Sequence, residues 1–169
     1  MLEKLVKDLT ELYTEDFLDY QELLGKMNTF RSFLDNMEMK ERLDERLEQA
    51  LSAFSAYRDE SFVRFRERAV KSQTIQEKIC SETGNGTFGL LALQPRISKL
   101  SYEALLAAGQ SLQRHRQEVL ELDRIIIPRL QMELEAVKLE LHRFQNVLTT
   151  RNAYHQKGTA EARFINKLK

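Results

Sequence analysis

Apolar residues recur in steps of three and four along most of this 169-residue chain. The first series runs Leu2, Leu5, Leu9, Leu12, Tyr13, Phe17, Tyr20, Leu24, Met27, Phe30, Leu34, Met37. After a thinner patch it resumes at Leu43, Leu47, Leu51, Phe54, Phe62 and Phe65. Such spacing lines one side of an α-helix and leaves the other side to water. The period weakens near Asp35-Asn36, where the chain either bends or divides into two helices. A second series begins at Ile97 and runs through Leu100, Leu105, Ala108, Leu112, Val119, Leu122, Ile126, Leu130, Leu134, Val137, Leu141, Phe144 and Leu148. From Leu105 almost all of its steps are of three or four residues, the coiled-coil pattern.

Between the two series lies TGNGTFGLLALQPR, residues 83–96, which has no helical period. Glycine and asparagine tolerate the left-handed backbone used where helices end. Pro95 is expected in the first turn of the following helix, where its missing N–H costs nothing. Pro128 interrupts the second series, because proline inside a helix loses a hydrogen bond and clashes with the preceding turn, at about 3 kcal/mol. The stripe keeps its phase across it, from Leu122 and Ile126 to Leu130 and Leu134. A kink is therefore favoured over a tight turn.

The expected fold is all-α: long antiparallel coiled-coil-like helices in an elongated bundle, forming one domain over residues 1–169. Its parts are a helical arm 2–80, a connecting loop 83–96 and a kinked helical arm 97–168. Two such arms bury little between them. Tyr13, Phe17, Tyr20, Leu24, Met27 and Phe30 need more cover than one partner helix offers, so they form the expected seam for a homodimer or a helical protein partner.

Composition fits this reading, with 31% charged residues, six glycines, two prolines and no tryptophan. Net charge is zero, yet residues 1–60 carry 8 basic and 15 acidic side chains and residues 61–169 carry 18 and 11. That polarity points either to pairing inside the fold or to an external partner. Cys80 is the single cysteine, so no disulfide can form within the chain. No apolar run approaches the roughly 20 residues of a membrane span. The start lacks the pattern of a signal peptide. The expected location is cytoplasmic, with a peripheral place on membranes open.

Gly84, Gly86 and Gly89 have the G-x-G-x-x-G spacing of a nucleotide loop. Context argues against that chemistry. A dinucleotide loop follows a strand and opens a helix, whereas this one follows QEKICSE, which reads as a helix end. GNGTFG looks like a kinase glycine loop, but none of the other kinase motifs follows. His115, His142 and His155 have no metal-ligand spacing. No cofactor and no catalytic residue is assigned, and the chain is not expected to be an enzyme.

Basic side chains give the stronger functional signal. Arg64, Arg66, Arg68 and Lys71 surround aromatic positions, and Arg96 and Lys99 lie just past the loop. If the arms fold back on each other, these six gather near one end as a candidate surface for an anionic membrane. Arg151, Lys157, Arg163, Lys167 and Lys169 add a basic terminal stretch. Nucleic acid is not the partner expected.

The stretch ELEAVKLELHRFQNVLTTRNAYHQK, residues 133–157, carries Glu140-Leu-His-Arg-Phe144 and, ten residues on, Tyr154-His155. It resembles the closing helix of BAR domains of the sorting-nexin type. Long helices, a proline kink and basic ends are also similar to that family. The resemblance implies a crescent-shaped antiparallel dimer that binds curved anionic membranes as a scaffold. A coiled-coil adaptor or assembly subunit that binds other helical proteins is the alternative. The chain departs from the family in being short for three full BAR helices and in having no phosphoinositide-binding domain before them.

Overall fold

The computed structural model describes residues 1–36 and 45–165. Met37 and Leu43 of the first stripe lie outside the described residues, as do the side chains of Tyr154, His155, Lys157, Arg163, Lys167 and Lys169. The described residues form α1 (Leu2–Asn36), α2 (Glu45–Thr83), the single-turn α3 (Leu90–Leu93) and α4 (Lys99–Ile165), with no strand among them. The first arm is thus two helices, α1 and α2. The chain divides into two units, Met1–Ile126 and Ile127–Lys169.

The first unit holds α1, α2, α3 and α4 as far as Ile126. Its contacts form a ladder. Tyr13 meets Gln76, Asp16 meets Arg68, Tyr20 meets Phe65 and Phe30 meets Phe54, so partners descend along α2 as they ascend along α1. On α4 the order ascends with α1: Leu105 joins Val6 and Leu9, Gly109 lies beside the Tyr13 ring, and His115 meets Phe17. Arg58 of α2 and Asp123 of α4 form a two-pronged ion pair at 2.5 and 2.6 Å.

The six seam residues expected to seek a second molecule are therefore covered within the chain. Tyr20, Leu24, Met27 and Phe30 are buried, and Tyr13 and Phe17 are half-buried. Tyr20 stacks on Phe65 with centroids 3.9 Å apart, Phe30 on Phe54 at 4.4 Å, and Phe17 meets the His115 ring edge-on at 4.8 Å. The reason is that the first arm divides, one of the two outcomes left open in the sequence, so that α1 has two neighbours, α2 and α4.

The ends of the helices follow from local chemistry. Gly84 has a φ of 71°, the left-handed cap after Thr83, and the Asn85 N–H reaches back to the Cys80 carbonyl at 3.1 Å. Pro95 lies in the turn after α3, not in the first turn of α4 as expected. Ser98 starts α4 instead: its hydroxyl accepts the Ser101 N–H at 3.2 Å, satisfying a donor that the first turn leaves free. The Glu3 carboxylate accepts the Ser98 N–H, tying the start of α1 to the start of α4. Hydrogen bonds from Ser101 and Ser98 hold the Glu3 carboxyl below its ordinary range. Phe88, Leu90 and Leu93 close this end over Val6, Leu9, Ile79 and Leu105, while Leu91 stays exposed.

The second unit consists of the rest of α4. The helix runs through Pro128, which rules out the tight turn.

Candidate functional site

Three helices of the first unit meet at a group of charged side chains. Arg68 of α2 donates from Nε to Asp16 of α1 at 2.5 Å and from Nη2 to Asp19. Arg64, one turn earlier, donates to the same Asp19 at 3.2 Å and to Glu60 at 3.1 Å. Arg116 of α4 approaches the other oxygen of Asp16 at 3.6 Å and lies over the Tyr20 ring. The side chains of Asp16 and Arg68 are 5% and 14% exposed.

Burial pushes the Asp16 carboxyl above the ordinary aspartate range, against the pull of Arg68 and Arg116. Burial raises Asp19 as well, but the hydrogen bonds and charges of Arg68 and Arg64 outweigh it and hold that carboxyl below its usual value. The same carboxylates overcome the cost of burying Arg68 and keep it charged. An interior ion cluster of this kind fixes which helix faces meet, because any other register leaves a buried charge without a counter-ion.

Of the six cations expected to meet an anionic membrane, Arg68 is thus committed to the interior of the fold, and the half-buried Arg64 is paired with Asp19 and Glu60. The two arginines are four residues apart and share one side of α2. Arg66 points elsewhere and is exposed, with Nε 3.4 Å from the Phe62 carbonyl. Lys71, Arg96 and Lys99 are also exposed, and Lys99 lies 3.6 Å from Glu103. The structure does not gather the six on one face.

The glycine motif serves the end of α2, since of its three glycines only Gly84 has a positive φ, and α3 is a single turn. Cys80 is half-buried, and His115 donates from Nδ1 to the Ser111 carbonyl at 3.0 Å in the tautomer that carries that proton. Among the described residues no three His, Cys, Asp or Glu side chains stand where they could hold a metal ion. No described helix is long and apolar enough to cross a membrane.

The second unit offers a different surface. Ile126, the last residue of the first unit, is buried, and Leu130 and Val137 are half-buried. Leu134, Leu141, Phe144, Val147 and Leu148 are 55, 51, 62, 63 and 41% exposed. Every residue from Leu141 to Arg151 is exposed. Ile127, Leu130, Leu134, Val137, Leu141, Phe144 and Leu148 follow a strict three-four alternation, which keeps them on one face of a helix. The stripe was visible in the sequence; that it stands open was not. No known protein family, curated protein or solved structure matches the chain.

Proposed function

We propose that the chain is a non-enzymatic helical scaffold that binds other helices through the apolar stripe of α4 between Leu134 and Leu148. The observation that supports this reading is the open stripe itself. Four apolar side chains, Leu141, Phe144, Val147 and Leu148, stand in water on one stretch of about two turns. Fully burying such a side chain is worth about 1.5–3 kcal/mol. With each already partly shielded, covering the four gains roughly 4 kcal/mol. Association itself costs a comparable amount, so the stripe supports a reversible partner and depends on its flanks for specificity.

The BAR-like reading, a dimeric scaffold on anionic membranes, is the alternative. Its closing-helix resemblance falls on this same stretch, at Glu140, Arg143 and Phe144. Its basic patch is reduced, since Arg64 and Arg68 are paired with Asp16 and Asp19. Arg66, Lys71, Arg96 and Lys99 are the exposed cations left to it.

A photo-activated cross-linking residue placed at Phe144 tests the choice. The protein is irradiated in a cell extract that retains membranes, and the adducts are identified by mass spectrometry. Cross-links to helical protein segments, from this chain or another, are expected. Adducts confined to lipid would overturn the proposal in favour of the membrane scaffold.

A further inference from the structure

Residues 83–102, TGNGTFGLLALQPRISKLSY, carry two charged side chains, Arg96 and Lys99, both basic. The whole chain is 31% charged, with 26 acidic and 26 basic residues, so the lack of acids here is local. The fold sets this stretch at one end of the first unit. Phe88, Leu90, Leu93 and Ile97 turn inward and join the buried cluster around Leu9 and Leu105. Leu91 and Leu100 turn outward and are 79% and 81% exposed. No other leucine, isoleucine, valine or phenylalanine among the described residues is as exposed. The segment is held in place by its inward side chains and by its turn, where the Arg96 and Ile97 N–H groups return to the Leu93 carbonyl at 2.8 and 3.2 Å. The two leucines are therefore displayed by a fixed framework.

The charges around them are one-sided. Arg96 and Lys99 are exposed, and so is Lys4, which the bond from the Ser98 N–H to the Glu3 carboxylate brings to the same end. Arg96 and Lys4 make no ion pair among the described residues. Lys99 has one loose contact, with Glu103 at 3.6 Å, both side chains largely in water. The acids nearest in the chain, Glu82 and Glu103, stand outside the stretch on either side of it. Leu91 and Leu100 belong to different elements, α3 and α4, so they form no stripe for a partner helix to follow. A bilayer needs no such stripe. It takes up single projecting apolar side chains while Lys and Arg keep their charged ends at the phosphates.

We propose that this end of the first unit docks on an anionic lipid surface, with Leu91 and Leu100 entering the acyl region and Arg96 and Lys99 meeting the headgroups. The inference goes beyond the helix-binding reading and uses none of its residues. It also differs from the BAR-like alternative, because Arg66 and Lys71 of α2 take no part in the contact.

The chain has no tryptophan, so a single one placed by substitution reports its own surroundings. Leu91→Trp and Leu100→Trp probe the docking end, and Leu120→Trp, at a position 55% exposed, is the control. Each full-length variant is mixed with phosphatidylcholine vesicles that contain or lack phosphatidylserine. Emission from positions 91 and 100 is expected to shift to shorter wavelength with the anionic vesicles and to be quenched by brominated acyl chains, while position 120 stays unchanged. In vesicle sedimentation, Leu91→Ser/Leu100→Ser and Arg96→Gln/Lys99→Gln are each expected to bind at least roughly tenfold more weakly than the wild type. All four positions are exposed, and matching thermal melts confirm that the variants keep the fold. No spectral shift at 91 and 100 overturns the inference, as does an equal shift at 120 or equal binding to uncharged vesicles. Binding that survives Arg96→Gln/Lys99→Gln but weakens in Arg66→Gln/Lys71→Gln moves the contact to α2 and overturns it too. The Phe144 probe reads a different surface, so the failure of one proposal leaves the other standing.

Discussion

Replacing Arg68 by methionine removes the guanidinium that bonds Asp16 at 2.5 Å and also bonds Asp19. Methionine refills the space of the stem but supplies no donor. Asp16, whose side chain is 5% exposed, then faces only Arg116 at 3.6 Å. Breaking a buried ion pair from one side typically costs about 3–5 kcal/mol, most of it the uncompensated charge left behind. Arg116 offsets part of this, and Asp19 is nearer to water, so a loss of about 3 kcal/mol is expected. In a chain of this length each kcal/mol lowers the melting temperature by roughly 2–4 °C, giving about 6–12 °C. Arg64→Met is expected to cost less than about 1 kcal/mol, because Arg64 is 33% exposed and its second partner, Glu60, is 71% exposed. Arg66→Met, at an exposed position, is expected to change stability by about 0.5 kcal/mol or less. Thermal melts at neutral pH read all three. Adding Asp16→Leu to Arg68→Met should recover at least half the loss, since it removes the stranded carboxylate. A loss for Arg68→Met no larger than that for Arg66→Met would refute the reasoning. The result also bears on membrane assays. A charge reversal at Arg68 should damage the fold, so a loss of liposome binding in that variant would not report on a membrane surface, and Arg66 and Lys71 are the informative positions on α2.

The remaining predictions concern the core, the helix end and acid. Leu9→Ala, at a fully buried position beside Ile79 and Leu105, should cost about 2–5 kcal/mol by urea denaturation. Gly84→Ala should cost about 1–2 kcal/mol because its φ is 71°, while Gly86→Ala and Gly89→Ala, with ordinary φ and open space at Cβ, should cost little; equal losses at all three would sink the capping account. Asp19 has a folded pKa below its ordinary 3.8, so its stabilisation is complete above 3.8 and is lost as pH falls through the lower folded value. Asp19→Asn should therefore lie below the wild type at neutral pH and converge with it in acid, and a gap that stays constant with pH would contradict this.

The helices were legible because they repeat a local rule. Stripes at Leu2–Leu34 and Leu105–Leu148 need only the 3.6-residue turn to be read, and residues 83–96 stood out by lacking it. The α1–α2 break was half legible, as a weakened period at Asp35-Asn36. The interior ion cluster was not, although its signal was present. Asp16 falls at the spacing of the apolar stripe, three residues after Tyr13 and four before Tyr20, where a solvated carboxylate has no reason to sit. The partners of Asp16 and Asp19 lie 45 to 52 residues away, and no periodicity reports a pairing at that distance. Arg64, Arg66 and Arg68 read as one cluster in the chain and separate on the helix, because residues two apart point to different sides. Pro95 misled for a smaller reason: proline suits a turn and a first helical turn equally, and the serines at 98 and 101 decide between them.

The charge polarity of the chain resolves into two parts. One part cancels inside the first unit, where Asp16 and Asp19 from the acidic first 60 residues meet Arg64, Arg68 and Arg116 from the basic remainder. Arg58 and Asp123 make the same exchange in reverse. The Asp16–Arg68 pair is the one best shielded from water, and so from salt. The other part stays on the surface, as Asp8, Glu11 and Glu15 along α1 and Arg143 and Arg151 along α4. Charges that the fold has not neutralised cost nothing while solvated, yet they bias which surfaces meet when apolar groups associate. Here each set lies beside exposed apolar side chains, Val70 in one case and Phe144 in the other. Rising salt should weaken any contact that rests on these exposed charges well before it disturbs the Asp16–Arg68 pair, which is shielded from water.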